Sequence, residues 1–175
     1  MTKVGFVGAG RVGSTAAYAA LYSVDCDGIA LVDVVADLAV GEAMDLETAA
    51  VAVGREVSAE GGSDYSLLRG SDVVVVSAGL ARRPGMSRLD LARANAGIVR
   101  GVTEKVVDFA PGAVLLVVTN PVDLMTYAAY RASGGPRSAV LGIGSLHDTV
   151  RLVAEIKRRG GRNVEAMMAG EHGDS

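Results

Sequence analysis

What this 175-residue sequence lacks narrows it first. A single cysteine, Cys26, excludes an intrachain disulfide framework. Positive charge is not in excess: 17 Lys plus Arg stand against 20 Asp plus Glu, a formal net of -3. That balance argues against a general binder of nucleic acid or of anionic membranes, so any basic chemistry must be local. Long apolar runs are missing too. A stretch such as 113–118 falls far short of the ~20 residues that cross a bilayer. No basic segment followed by an apolar stretch opens the chain, since Met1-Thr2-Lys3 leads straight into a strand-like run, and a cytoplasmic address is the expectation. There is no internal repeat, low-complexity tract or linker.

What remains is a globular composition, half apolar and 21% charged. Short β-branched runs at 4–7, 29–32, 73–76, 114–118 and 140–141 read as buried strands. Helix candidates lie between and after them at 11–22, 37–50, 88–109, 122–132 and 146–159. This alternation predicts an α/β fold with a doubly wound parallel sheet. Ser87 with Asp90 three residues on forms a capping pair for the third helix, which should stop before Pro111-Gly112. The glycine-rich stretch 54–70 predicts a minor strand at 56–58 and a turn at Gly61-Gly62.

Gly8-Ala9-Gly10-Arg11-Val12-Gly13 follows the first strand and opens the first helix, the setting that gives a G-x-G-x-x-G pattern its meaning. Gly8 would allow the tight turn, Gly10 the approach of a pyrophosphate and Gly13 close packing of helix on strand, with Arg11 and Val12 on the same turn. Asp33, twenty residues after Gly13, can accept from both ribose hydroxyls and would repel a 2′-phosphate, which favours NAD over NADP. A structural cap for the next helix is the other reading of Asp33. A flavin or S-adenosylmethionine site can use a similar turn, so these residues indicate a class of cofactor rather than a reaction.

A second group of motifs carries a resemblance. Ser77-Ala78-Gly79-Leu80-Ala81-Arg82-Arg83-Pro84-Gly85-Met86-Ser87-Arg88 resembles the active-site loop of the lactate and malate dehydrogenases. The likeness continues through Thr119-Asn120-Pro121-Val122-Asp123, Asp148-Thr149-Val150-Arg151 and Gly170-Glu171-His172-Gly173-Asp174-Ser175, spanning nearly the whole chain. It implies a Rossmann domain over 1–142 that holds NAD, followed over 143–175 by an incomplete start of a substrate domain, because members of the family continue well beyond the histidine motif. On this likeness, residues 163–169 would form a strand whose partners lie in that later part.

The resemblance also implies roles. His172 would be the acid-base residue and Asp148 would orient and stabilise its imidazolium, a pairing that suits a group alternating between two charge states near neutral pH. Arg151 would clamp the C1 carboxylate of the substrate, and Arg88 would arrive with a closing loop to polarise the carbonyl. Asn120 would face the substrate oxygen or the nicotinamide, with Asn95 as a further cofactor-binding residue; no metal is implied. Arg82, six positions before Arg88, stands where the family's lactate enzymes have glutamine and its malate enzymes arginine. It implies a dicarboxylate, malate or oxaloacetate, and thereby a step of the tricarboxylic acid cycle; Arg83 beside it leaves the loop register open. A lactate dehydrogenase-like activity, or a dinucleotide-binding module without turnover, is the alternative.

His147 departs from the family, where its position is usually aliphatic. Adjacent helical residues differ by about 100° in direction, so it should point away from Asp148's partner. The helix at 37–50, rich in Ala, Val, Met and Leu, matches one that helps bury a dimer interface in the family, although a stripe facing the core would look the same. A homo-oligomer is the expectation.

Overall fold

The computed structural model describes residues 2–172 and contains six strands and five α-helices. They alternate in chain order as β1 (Lys3–Val7), α1 (Arg11–Ser23), β2 (Gly28–Val32), α2 (Ala36–Ala52), β3 (Ser58–Gly62), β4 (Val73–Val76), α3 (Arg88–Phe109), β5 (Val114–Val117), α4 (Val122–Ser133), β6 (Val140–Gly142) and α5 (Gly144–Arg158). The strands form one sheet in the order β3-β2-β1-β4-β5-β6, and every adjacent pair is parallel. The order reverses between β1 and β4, which opens a crevice beyond their carboxyl ends.

Two apolar layers hold the sheet because successive side chains on a strand face opposite ways. Phe6, Ile29, Leu31 and Val75 join Ala17 and Leu21 of α1 and Ala43 and Leu46 of α2 on one face. Val7, Val32, Val74, Val76 and Val117 join Val99 and Val106 of α3 and Met125 of α4 on the other. Burial on both faces explains why the central strands read as unbroken apolar runs rather than alternating ones. No helix among the described residues is long and apolar enough to cross a membrane.

The Ser87/Asp90 capping box forms, with Ser87 accepting from the Asp90 amide and Asp90 accepting from the Ser87 amide. α3 ends at Phe109, ahead of Pro111-Gly112 as expected. The third strand differs from expectation. It starts at Ser58 rather than at 56, and Gly61 and Gly62 lie inside it, paired with Leu31 and Val32, instead of making a turn. The reason is steric: a Cβ on Gly61 would stand 2.0 Å from the Ala39 carbonyl oxygen of α2. Glycine here allows the helix to lie directly on the strand. Residues 163–169 form no strand; with no neighbouring strand to pair with, their backbone crosses the surface and the Met168 amide donates to Thr149 Oγ1 at 2.8 Å.

α2 also supplies an internal control. A Cβ on the exposed helical Gly41 would meet nothing within 4 Å. Gly61→Ala is expected to lower stability by about 2–3 kcal/mol through overpacking against backbone. Gly41→Ala is expected to raise it by about 0.5–1 kcal/mol through helix propensity. Urea denaturation of the two variants beside the parent checks both signs.

Candidate active site

The crevice at the sheet's reversal point is built first by the β1–α1 turn. Gly8 adopts φ 105°, a left-handed value that a side chain would strain, and its amide donates to the Val32 carbonyl at 2.8 Å. A Cβ on Gly13 would fall 1.7 Å from the Gly8 carbonyl oxygen, so only glycine lets α1 start this close to the strand. Gly10 caps α1 with no side-chain bond to the helix amides, and a Cβ on it would meet nothing within 4 Å. The first-turn amides, with Arg11 and Val12 exposed beside them, therefore face an open side suited to an anion.

Asp33 at the end of β2 does not cap α2 and instead holds two backbone amides. One carboxylate oxygen accepts from the Ala9 amide at 2.7 Å and the other from the Val35 amide at 2.9 Å. It braces the glycine turn and the approach to α2 without being the N-cap, which is Val35. Each carboxylate oxygen retains acceptor capacity for a ribose hydroxyl. The open glycine turn, uncapped helix start and braced carboxylate fit a dinucleotide.

The loop after β4 is tied down at its root. Asn95 is 1% exposed; its Oδ1 accepts from the Leu80 amide at 2.8 Å, and its Nδ2 donates to the carbonyls of Leu80 at 3.3 Å and Asn120 at 2.7 Å. Expected to touch the cofactor, Asn95 instead spends its amide on joining the β4 and β5 ends. Thr119 Oγ1, 2.8 Å from the Ala78 carbonyl, adds a second tie. Further along, Arg82 is exposed and its Nε donates to the Met86 carbonyl at 3.2 Å, while Arg83 is also exposed. Asn120 is exposed and precedes a cis peptide bond to Pro121.

Three helices then converge on His172. Asp148 on the first half of α5 places Oδ2 2.6 Å from His172 Nδ1. Asp123 in the first turn of α4 accepts from the His172 amide at 2.7 Å. Arg88, expected to travel with the loop, is the first residue of α3; its Nη2 donates to the His172 carbonyl at 2.8 Å and lies 3.8 Å from Glu171 Oε1. Backbone donor, backbone acceptor and ring are each held by a different helix. Sequence motifs assign Asp123 no role; only tertiary structure shows its contact 49 residues away.

The hydrogen bond with His172 holds the Asp148 carboxyl below the usual carboxylate range, and the positive neighbours His172, Arg151 and His147 act in the same direction while burial opposes them. A lowered folded value means that this contact stabilises above the ordinary carboxylate range and is lost as pH falls through the lowered value. An ionised Asp148 can only accept, so the shared proton sits on Nδ1 and leaves Nε2 for a substrate. Arg151 is exposed on α5, one turn from Asp148. His147 corrects the expectation that it points away: its ring centroid is 6.1 Å from that of His172, at an interplanar angle of 79°. The returning segment lays His172 across the start of α5, within reach of both 147 and 148. Gly173, Asp174 and Ser175 of the motif lie outside the described residues.

Comparison with known proteins identifies the family. The lactate/malate dehydrogenase NAD binding domain matches residues 2–142. The chain belongs to the lactate/malate dehydrogenase family. It is 55% identical over 174 residues to a malate dehydrogenase of Archaeoglobus fulgidus, covering 99% of this chain and 59% of that protein. It is 43% identical to an L-lactate dehydrogenase of Kosmotoga olearia, covering 99% of this chain and 54% of that one. A solved malate dehydrogenase from Archaeoglobus fulgidus in complex with NADH superposes with a TM-score of 0.96 at 54% identity, over 99% of this chain and 59% of that one. The chain thus spans less than two thirds of these relatives. Its cofactor is NAD, as the family's NAD binding domain indicates, and the glycine turn fits such a dinucleotide.

Removing the Asn95 amide leaves the Leu80 amide and the Asn120 carbonyl without their partner. Asn95→Ala is expected to lower stability by about 1–3 kcal/mol. Thermal unfolding measures this, and amide exchange at Leu80 should rise more than exchange in α1.

Proposed function

We propose that this chain carries the NAD-binding and acid-base parts of an NAD-dependent malate dehydrogenase, converting malate and oxaloacetate reversibly. The observation that carries the reading is the His172–Asp148 pair at 2.6 Å, fixed from α3, α4 and α5 at the carboxyl edge of the sheet that bears the glycine turn. On this reading residues 143–172 begin the substrate-binding part of the protein.

NAD, when bound, supplies the acceptor for the hydride from C2 of the hydroxy acid. His172 Nε2 takes the C2 hydroxyl proton as the C2–H bond breaks, and Asp148 stabilises the resulting imidazolium. In the reverse direction the same nitrogen returns the proton to the carbonyl oxygen. Arg88 holds the histidine segment and adds positive charge where negative charge grows on that oxygen. Arg151 pairs with the C1 carboxylate, a contact that guanidinium geometry makes through two parallel bonds. Asn120 stands at the β5 end to face the substrate or the nicotinamide. Arg82 takes the second carboxylate, which pyruvate lacks, and would strand a desolvated charge if pyruvate were bound instead.

The greater identity to a malate than to a lactate dehydrogenase supports the dicarboxylate. The reading carries with it a cytoplasmic address, the malate step of the tricarboxylic acid cycle, and no nucleic-acid or membrane partner. It also includes homo-oligomeric assembly. α2 supports that last point: its buried stripe of Ala39, Ala43, Leu46 and Ala50 does not exhaust its apolar residues, since Val40, Met44 and Val51 are exposed.

NADH absorbance followed with oxaloacetate and with pyruvate, beside a fluorescence titration of NADH, tests the proposal. Turnover favouring oxaloacetate is expected, and Arg82→Gln should lower kcat/KM for oxaloacetate at least about 100-fold while helping pyruvate. Preference for pyruvate in the parent would overturn the Arg82 assignment. NADH binding without any turnover would favour the dinucleotide-binding module.

A further inference from the structure

The acid-base pair has a second imidazole beside it. The ring of His147 stands edge-on to that of His172 at 6.1 Å between centroids. The sequence has only two histidines, and the fold brings both to one place. His147 is exposed and makes no ion pair among the described residues, while the His172 backbone is held by Asp123 and Arg88.

We propose that His147 is a positioning residue for the His172–Asp148 pair, a second imidazole whose protonation sets the acid limit of the site's working range. This inference rests on the acid-base reading of His172 given above. The charged groups about His172 are Asp148, His147 and Arg151 on α5, Asp123 on α4, Arg88 on α3 and its neighbour Glu171. The guanidinium groups and, near neutral pH, the carboxylates keep their charge. His147 alone among them can change charge where a dehydrogenase works.

Its two effects oppose each other in a useful way. As a cation, His147 supports the anionic form of Asp148, in the direction already seen for that carboxyl. As a cation it also disfavours a second positive charge on His172 across a distance within one Debye length at physiological salt. A charged His147 therefore resists proton uptake by His172.

Ring resonances of ¹⁵N-histidine report this directly, because His147→Leu leaves His172 as the sole histidine. In that variant the His172 titration midpoint is expected to rise by about 0.5 to 1 pH unit at low salt, and the difference from the parent should shrink by more than half in 1 M NaCl. His147→Lys, which keeps a permanent cation at an exposed position, should move the midpoint back down. Identical His172 curves in the parent, Leu and Lys proteins would overturn the inference. Asp148→Asn separates the two layers of the argument. If it shifts His172 while the position-147 variants do not, the acid-base pair stands and the role of His147 fails. If His172 ignores Asp148→Asn as well, the pair itself is wrong. For oxidation of malate, which needs His172 neutral, the acid limb of the kcat/KM profile should move with the NMR midpoint in His147→Leu; a fall in kcat at every pH with no movement of the limb would mark a merely structural role.

Discussion

An all-parallel sheet imposes one constraint from which the rest of this molecule follows: each crossover must return to the same edge, so helices that follow strands begin at the carboxyl ends. Every α-helix here obeys it. Their starts gather unpaired amides and first-turn side chains on one side of the sheet, and the chain uses each start differently. α1 leaves its amides open behind Gly10. α3 closes its own with the Ser87/Asp90 box, and its first residue, Arg88, reaches His172. α4 contributes Asp123 and α5 Asp148 from near their starts.

The division between cofactor side and acid-base side follows from the same constraint. Close approach near β1 requires atoms to be absent, so glycine occupies positions 8 and 13, where a Cβ would meet backbone at 2.8 and 1.7 Å. Near β5 and β6 the requirement is reversed, since side chains must span gaps between elements. Asn95 bridges the β4 and β5 ends with three hydrogen bonds while nearly wholly buried. Each such bond contributes only about 1 kcal/mol net, but leaving its backbone partners unpaired would cost more. The amide is thus a fixed spacer that sets where the arginine loop leaves the sheet.

Much of this was legible in the sequence because it depends on local signals. Apolar runs located all of the central strands, and the S-x-x-D pair located the start of α3 to the residue. β3 was displaced because its glycines look like a turn until α2 is known to lie 2.0 Å from a Cβ at Gly61; no local pattern carries that information. At the site, the motifs pointed to His172 and Asp148, whose contact spans 24 residues. The path of the returning segment was not readable, because it is set by single contacts with three separate helices. Two consequences followed from that path: Asp123 acquired a role, and His147 came beside His172. Helical angles alone placed His147 away from the site because they fix its direction on α5, not where residues 163–172 cross.

α5 shows how far the site and local stability are the same thing. None of its 15 residues is buried, and Leu146 and Val150 are 64% and 59% exposed, so it lacks the apolar footing that holds α1 through α4. A helix of this length is marginal in water by itself. Its side-chain hydrogen bonds with the returning segment come from Thr149, which accepts from Met168, and from Asp148 on His172. Those contacts work in both directions. Among the described residues the segment has no strand partner and is held by α5, α4 and α3, while α5 gains hydrogen bonds where that segment crosses it. Positioning of the histidine and order in the helix are therefore coupled, and protonation of Asp148 weakens both together.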